Sequence, residues 1–130
     1  MANLTKSASK VKILYGEGDP EVLAAQSLKI MDAGYEVAQA EGRQQVQEAL
    51  KQHSFDLVIL GATLTKNDRH HLPYMVKKAQ PQAKVLVTHT DGEGHHAVDA
   101  TLETGRSLNA LLEKIASLYP QQAAAKAVGK

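Results

Sequence analysis

Histidines and carboxylates gather in two segments of the sequence, where they could bind a transition metal. Five of the six histidines and three acids follow the third and fourth predicted strands: His70, His71, His89, His95, His96, Asp68, Asp91 and Glu93. Imidazole nitrogen and carboxylate oxygen are common ligands of zinc, nickel and copper. We favour the simpler interpretation that polar loops carry these side chains without a metal, because short ligand sets usually lie on stiffer elements.

The segment Gly16 to Pro20, which reads GEGDP, could also do chemistry. It begins like a dinucleotide fingerprint, but the third glycine of that motif would fall at Glu21, so we interpret it as a tight strand-to-helix turn. Glu17 and Asp19 could form a metal-binding pair. We favour a solvated turn for Glu17 and a helix N-cap for Asp19.

No catalytic nucleophile is recognisable in the sequence. Cysteine is absent, which excludes disulfides, thiolate metal sites and cysteine nucleophiles. Ser27, Ser54 and Ser107 lie in or beside predicted helices, away from any candidate base, and Lys66 has no recognisable desolvating neighbours. His53, on the inner side of a predicted helix, is expected to pack at a boundary. We therefore expect no enzymatic activity.

Length and charge narrow the function classes further. The 130 residues suffice for one domain, and the net charge of +1 gives no electrostatic reason to expect nucleic acid or a membrane surface as partner. No apolar run reaches the roughly 18 residues of a membrane span. The N-terminus has no apolar signal-peptide core. These features predict a cytoplasmic protein.

The segment that organises the chain is Phe55 to Thr65, which reads FDLVILGATLT. Its apolar run, closed by Gly61, is typical of a strand buried on both faces in the middle of a parallel sheet. In such sheets, ligand and catalytic groups lie just beyond the carboxyl ends of the strands. Gly61 therefore lies where chemistry is expected, and it has no side chain to supply it.

Short β-type runs alternate with helical patterns along the rest of the chain. The predicted strands are Val11–Tyr15, Tyr35–Ala40, Leu57–Leu60, Lys84–Thr88 and Val98–Leu102. The predicted helices run from Pro20 towards Gly34, from Arg43 to Ser54, from Pro73 with an inner face of Leu72, Met75, Val76 and Ala79, and from Ser107 to Leu118. This alternation predicts one doubly wound α/β domain, with a five-stranded parallel sheet and helices on both faces.

Four segments together resemble a receiver domain of two-component response regulators. They read ILYGEGDPEVL, FDLVILGATL, VLVTHT and LETGRSLNALLEKI, and the resemblance runs from about Lys10 to Leu118. It implies a flavodoxin-like fold with strand order 2-1-3-4-5. It also implies an arm at residues 1–9, a receiver-like domain at 10–118 and a flexible tail at 119–130.

The resemblance also implies where a phosphorylation pocket would lie. The acidic pair that binds magnesium matches Glu17 and Gly18, with Asp19 just after it, and the phosphoacceptor aspartate matches Gly61. The threonine that ends the fourth strand matches Thr88, and the lysine that ends the fifth matches Thr104. Aspartyl phosphorylation needs the carboxylate nucleophile, a divalent cation and a balancing positive charge, so these differences indicate a degenerate receiver, or pseudo-receiver.

The resemblance thus favours a signal-transduction module that acts by phosphorylation-independent protein contacts and carries no cofactor. A small-molecule or metal sensor that uses the histidine-rich rim remains an alternative. Residues 91–97 are too few and too glycine-rich for the usual fourth helix, so we expect a loop or a single turn there. The face formed by the fourth strand, the fifth strand and the last helix would then be open for a protein partner, including a second copy of the chain.

Overall fold

The computed structural model describes residues 11–90, 98–103 and 108–119. Its strands are β1 (Lys12–Glu17), β2 (Glu36–Glu41), β3 (Leu57–Leu60), β4 (Lys84–Thr90) and β5 (Ala100–Glu103). Its helices are α1 (Pro20–Asp32), α2 (Gly42–Gln52), α3 (Lys66–Ala79) and α4 (Leu108–Leu118). The expected connection at residues 91–97 and the proposed cap Ser107 lie outside the described residues.

The strands form one parallel sheet in the order β2-β1-β3-β4-β5, which confirms the predicted order. β3 is the central strand, and Leu57, Val58, Ile59 and Leu60 are all fully buried. Successive side chains of a strand point to opposite faces of the sheet, so each face takes alternate residues of β3. Val58 and Leu60 pack with α2 and α3, whereas Leu57 and Ile59 pack with α1 and α4.

Helix α1 begins and ends where the sequence predicts. Asp19 is the N-cap, and its side chain accepts a hydrogen bond of 2.9 Å from the Glu21 backbone N–H, while Pro20 occupies the first turn. After the C-cap Ala33, Gly34 has a φ of 107°, in the left-handed region that favours glycine. The local signals at both ends are therefore sufficient to define this helix.

Helix α3 begins seven residues before the predicted start at Pro73, so that prediction is wrong. The N-cap is Thr65, whose hydroxyl accepts from the Asp68 backbone N–H at 3.1 Å. Pro73 lies inside the helix and is buried. The capping threonine and the acidic residue in the first turn outweigh the proline as a start signal. His70 and His71 are consequently helical, and not loop residues as the sequence analysis expects.

The bounds of two strands, β1 and β5, differ from those predicted. β1 continues through Gly16 and Glu17, which were predicted to form a turn, because Gly16 pairs with Ala40 on one side and Leu60 on the other. A Cβ at Gly16 would lie 2.8 Å from Val46 Cγ2, so α2 approaches this strand too closely for a side chain. β5 spans Ala100–Glu103, and Asp99 just before it is anchored to α3.

The anchor of β5 is an ion pair between Asp99 and Lys77, with Oδ2 and Nζ 2.6 Å apart. The same carboxylate oxygen accepts from the Val85 backbone N–H at 2.8 Å. Although burial alone would raise the pKa of Asp99, the hydrogen bonds from Lys77 and Val85 and the nearby lysine charges lower it. Asp99 therefore joins the start of β5 to α3 and β4.

The side chain of Gln80, at the end of α3, makes a second anchor, which joins α3 to the end of α2 and to the start of β3. Its Oε1 accepts from the Phe55 N–H at 2.8 Å, and its Nε2 donates to the Leu50 and His53 carbonyls at 3.0 and 2.7 Å. His53 itself is exposed at the end of α2, with its ring centroid 6.4 Å from that of Phe55. The expectation that His53 lies on the inner side of the helix is therefore wrong.

Tyr119, assigned by the sequence analysis to a flexible tail, is bound to the domain. Its hydroxyl donates to the Asp56 carbonyl at 2.8 Å, and its side chain packs against the core cluster of α1 and α4. Burial and the charges of Asp56 and Asp99 raise the pKa of this phenol. Within the described ranges, no helix is both long and apolar enough to cross a membrane.

Candidate functional site

Glu17 is the last residue of β1 and lies at the carboxyl edge of the sheet beside the end of β3. Its exposed fraction is only 2%, so the expectation of a solvated turn is wrong. Glu17 Oε1 accepts hydrogen bonds from the Thr63 backbone N–H at 2.9 Å and from the Thr63 hydroxyl at 2.6 Å. Glu17 Oε2 is hydrogen-bonded to the Tyr15 hydroxyl. The buried carboxyl group therefore has three donors around it.

Thr63, two residues after the end of the β3 run at Gly61, connects the two loops at this edge. Its hydroxyl oxygen accepts from the Gly18 N–H at 2.8 Å and from the Asp19 N–H at 3.0 Å. Both lone pairs of this oxygen are thus used, so its single proton is directed to Glu17. The turn after β1 and the loop after β3 are closed onto each other by one hydroxyl group.

The Glu17 carboxyl group occupies the space in front of Gly61. A Cβ placed on Gly61 would lie 2.0 Å from Glu17 Cδ and Oε2, and 2.2 Å from Oε1. No side chain at position 61 fits beside Glu17 in its present rotamer, because real Cβ atoms do not approach other heavy atoms so closely. The glycine is therefore required by the packing of the glutamate.

The space beside Gly18 is also filled, in this case by backbone atoms of Thr63. A Cβ at this position would lie 2.3 Å from the Thr63 carbonyl oxygen and 3.0 Å from its carbonyl carbon. An acidic side chain at Gly18 would require the loop after β3 to move. Both glycines at this edge thus lie against atoms that fill the space where a side chain would project.

Tyr15 completes the site and was not singled out by the sequence analysis, which counts it as part of an apolar strand. It lies two residues before Glu17, so both side chains are on the same face of the sheet. Its hydroxyl is also 2.7 Å from the Gln26 side-chain oxygen of α1. Burial, followed by the hydrogen bond and the charge of Glu17, raises the pKa of this phenol. Tyr15 therefore keeps its proton and acts as a donor.

Arg69 is another residue that sequence reasoning missed. Its Nη1 donates to the Ala62 carbonyl at 3.0 Å and also to the Leu64 carbonyl. Within the same loop, the Leu64 N–H donates to the Gly61 carbonyl at 3.2 Å. The loop from Gly61 to Thr65 is therefore fixed from two sides, by Arg69 of α3 and by the Glu17 carboxyl group. No local pattern marks Arg69, because its partners are carbonyl groups.

Among the known proteins compared with this chain, similarity is found in three-dimensional structure and not in sequence. No protein-family model matches the chain, and no curated protein matches its sequence. The structure is similar to a CheY-like response regulator receiver domain protein from Methanospirillum hungatei, with a TM-score of 0.73 and 21% identity over 88% of this chain and 97% of that one. The chain has the receiver fold.

Two further solved receiver proteins show the same likeness. The chemotaxis response regulator CheY4 of Vibrio cholerae matches with a TM-score of 0.73 and 17% identity, over 84% of this chain and 98% of that one. The response regulator TrrA of Thermotoga maritima, in complex with Mg²⁺ and beryllium fluoride, matches with a TM-score of 0.72 and 19% identity, over 83% and 98%. At these identities the likeness is one of fold.

The receiver fold brings together some of the predicted pocket residues. Glu17 and Gly61 are in direct contact, and Asp19 lies in the adjoining turn, where its carboxylate caps α1. Thr88 is half-buried in β4, which continues to Thr90 and does not end at Thr88 as predicted. Thr104 lies outside the described residues.

Of the five histidines considered as metal ligands, the structure describes the side chains of only His70 and His71. His70 and His71 are exposed on α3 with their ring centroids 5.8 Å apart, and the His70 ring lies edge-on to Tyr74 at 6.3 Å. The His89 side chain and all of His95 and His96 are outside the described part of the chain. Among the residues that are described, no group of three or more histidine and acidic side chains could hold a metal ion.

Proposed function

We propose that this chain is a receiver-type signalling module that acts through protein contacts without aspartyl phosphorylation. The observation that carries the proposal is the contact between Glu17 and Gly61. The end of the central strand, where the receiver resemblance implies a phosphoacceptor aspartate, has no side chain, and a neighbouring carboxyl group fills the space.

The chemistry of phosphoryl transfer supports this proposal. A phosphoacceptor site requires an accessible carboxylate nucleophile, with a divalent cation that neutralises the transferred group. Glu17, the nearest carboxyl group to Gly61, is 2% exposed and already has three hydrogen-bond donors. Asp19 caps a helix, and a second acid at Gly18 would collide with Thr63. A hard cation such as Mg²⁺ would find few oxygen ligands here.

We expect the protein to be inert toward phosphoryl donors. Incubation with acetyl phosphate and Mg²⁺ should leave its mass unchanged, and beryllium fluoride with Mg²⁺ should leave its amide chemical shifts and oligomeric state unchanged. The physical reason is that the donor meets no free carboxylate at the end of β3. The measurements are intact-protein mass spectrometry and two-dimensional NMR.

The Thermotoga maritima receiver, which is structurally characterised with Mg²⁺ and beryllium fluoride, is the matched control for the same reagents. It should give a beryllium fluoride-dependent change under conditions in which this chain gives none. A shift centred on Glu17 and Thr88, or a mass increase of one phosphoryl group, would contradict the proposal and would mean that another group has replaced the lost aspartate.

We further propose that the contacts are made by the face formed by β4, β5 and α4, and that the first partner is a second copy of the chain. β5 is the last strand of the sheet, so one of its edges is not paired within the sheet. α4 buries Leu111 and Ile115, whereas Leu112 and Leu118 are only partly buried. Partly covered apolar side chains beside an open strand edge favour association.

Light scattering over a range of protein concentrations is expected to show a concentration-dependent dimer. Glu113→Lys on the exposed side of α4 should weaken it, because a reversed charge alters the proposed interface. Glu48→Lys, an identical charge reversal on exposed α2 across the sheet, should not. A strict monomer, or a dimer that ignores Glu113→Lys or responds equally to both substitutions, would contradict this surface.

A further inference from the structure

We propose that Tyr15 and Thr63 form an anion-binding site that carries its own anion, the Glu17 carboxylate, as a permanent intramolecular ligand. The inference rests on the proposed function, because it explains what replaces a reversible signal at this edge of the sheet. The carboxylate holds the loop from Gly61 to Thr65 in one conformation without any exchangeable ligand.

The hydrogen bonds around Glu17 all run in one direction, towards the carboxyl oxygens. Thr63 donates from its backbone N–H at 2.9 Å and from its hydroxyl at 2.6 Å, and Tyr15 donates from a phenol that keeps its proton. The Thr63 hydroxyl oxygen already accepts hydrogen bonds from the Gly18 and Asp19 N–H groups, so its proton is left to donate to Glu17. Such converging donors are the arrangement that binds a carboxylate or another small oxyanion.

The ligand joins three segments that the sequence separates. It comes from β1, it is bound by Thr63 in the loop after β3, and the same threonine hydroxyl holds the turn before α1. The loop is attached at its other side to α3 through Arg69. An anion at this point therefore fixes the position of α3 relative to β1, and a covalent carboxylate fixes it permanently.

A site of this kind should accept a free anion when its own is removed. Glu17→Ala removes the methylene and carboxyl groups, whose heavy atoms correspond to those of acetate, and leaves the donors of exposed Thr63 and buried Tyr15 around the volume that the carboxyl group occupied. The midpoint of thermal unfolding is expected to fall by about 8 °C, because the Thr63 and Tyr15 donors lose their acceptor and the buried side-chain volume is emptied. Acetate should then raise the midpoint by about 5 °C at roughly ten times its dissociation constant.

The experiment is thermal unfolding, followed by circular dichroism, of the full chain in sodium acetate and in sodium chloride of equal concentration. The wild type and Glu21→Ala, the same substitution at an exposed glutamate, serve as controls and should respond equally to the two salts. If Glu17→Ala does not fold in chloride, the readout becomes its recovery of native circular dichroism in acetate. An equal effect of acetate and chloride on Glu17→Ala would overturn the inference.

This outcome is separable from that of the proposed function. Rescue by acetate together with phosphorylation of the wild type would leave the anion site intact and reject the phosphorylation-independent mechanism. A wild type that is inert toward phosphoryl donors, together with no rescue of Glu17→Ala by acetate, would reject the anion site and leave the proposed function intact. In the rescued variant, the amide resonance of Thr63 should shift with acetate concentration, a change that would not accompany general salt stabilisation.

Discussion

Replacing Gly61 by aspartate, which would restore the residue implied by the receiver resemblance, is expected to destabilise the protein by more than about 3 kcal/mol. The new Cβ would lie 2.0 Å from the Glu17 carboxyl carbon, so the glutamate must leave its position. Its displacement removes the acceptor of Thr63 and Tyr15, and two carboxyl groups then compete for one buried space. Urea unfolding followed by circular dichroism measures the loss.

Two single variants separate the causes of this loss. Gly61→Ala introduces the steric conflict without the second acid, so it should account for part of the effect. Ala62→Asp places the same carboxylate on the adjacent exposed residue and is expected to change stability by no more than about 0.5 kcal/mol. If Gly61→Asp is as stable as the wild type, Glu17 can leave its site at little cost.

A double variant tests whether positions 17 and 61 compete for the same space. In the Glu17→Ala background, Gly61→Asp should cost much less than in the wild type, because the conflicting carboxyl group is absent. The difference is an interaction energy, and values of about 0.5–3 kcal/mol are usual for residues in contact. Strict additivity of the two substitutions would contradict the packing described for Glu17.

The sheet was predictable from the sequence because its signals are local. The apolar run of β3 indicates burial on both faces, and β3 is central in the sheet with all four side chains buried. Asp19 and Gly34 define α1 through capping and through a left-handed glycine. In each case, residues within a few positions of each other determine the result.

The environment of Glu17 was not predictable in the same way. A glutamate between two glycines is typical of a solvated turn, and only Thr63, 46 residues later, makes it buried and hydrogen-bonded. The predicted start of α3 is wrong for a different reason, because Pro73 is a strong local start signal but lies inside a helix that Thr65 caps. His70 and His71 therefore lie on the helix, and not in the loop in which a metal-binding rim was considered.

Gln80 shows the same limit, because nothing near it in the sequence marks it as important. Gln80 is 8% exposed, and its side chain makes three hydrogen bonds, with the Phe55 N–H, the Leu50 carbonyl and the His53 carbonyl. These groups belong to the end of α2 and to the residues that lead into β3. A glutamine at the end of α3 thus satisfies backbone groups of two other segments, which no helical or strand period predicts.

Gln80→Ala is therefore expected to lower the free energy of unfolding by about 3 kcal/mol, since three backbone groups lose their partner, and two of these hydrogen bonds are buried. For a domain of this size, the midpoint of thermal unfolding should fall by roughly 10 °C. Gln82→Ala, the same substitution at an exposed position two residues later, is the control and should change the midpoint little. Hydrogen exchange gives a second readout, because the Phe55 amide should lose protection in Gln80→Ala and keep it in Gln82→Ala. A protected Phe55 amide with unchanged stability would mean that water replaces the glutamine at no cost, and that the junction between α2 and β3 does not depend on this side chain.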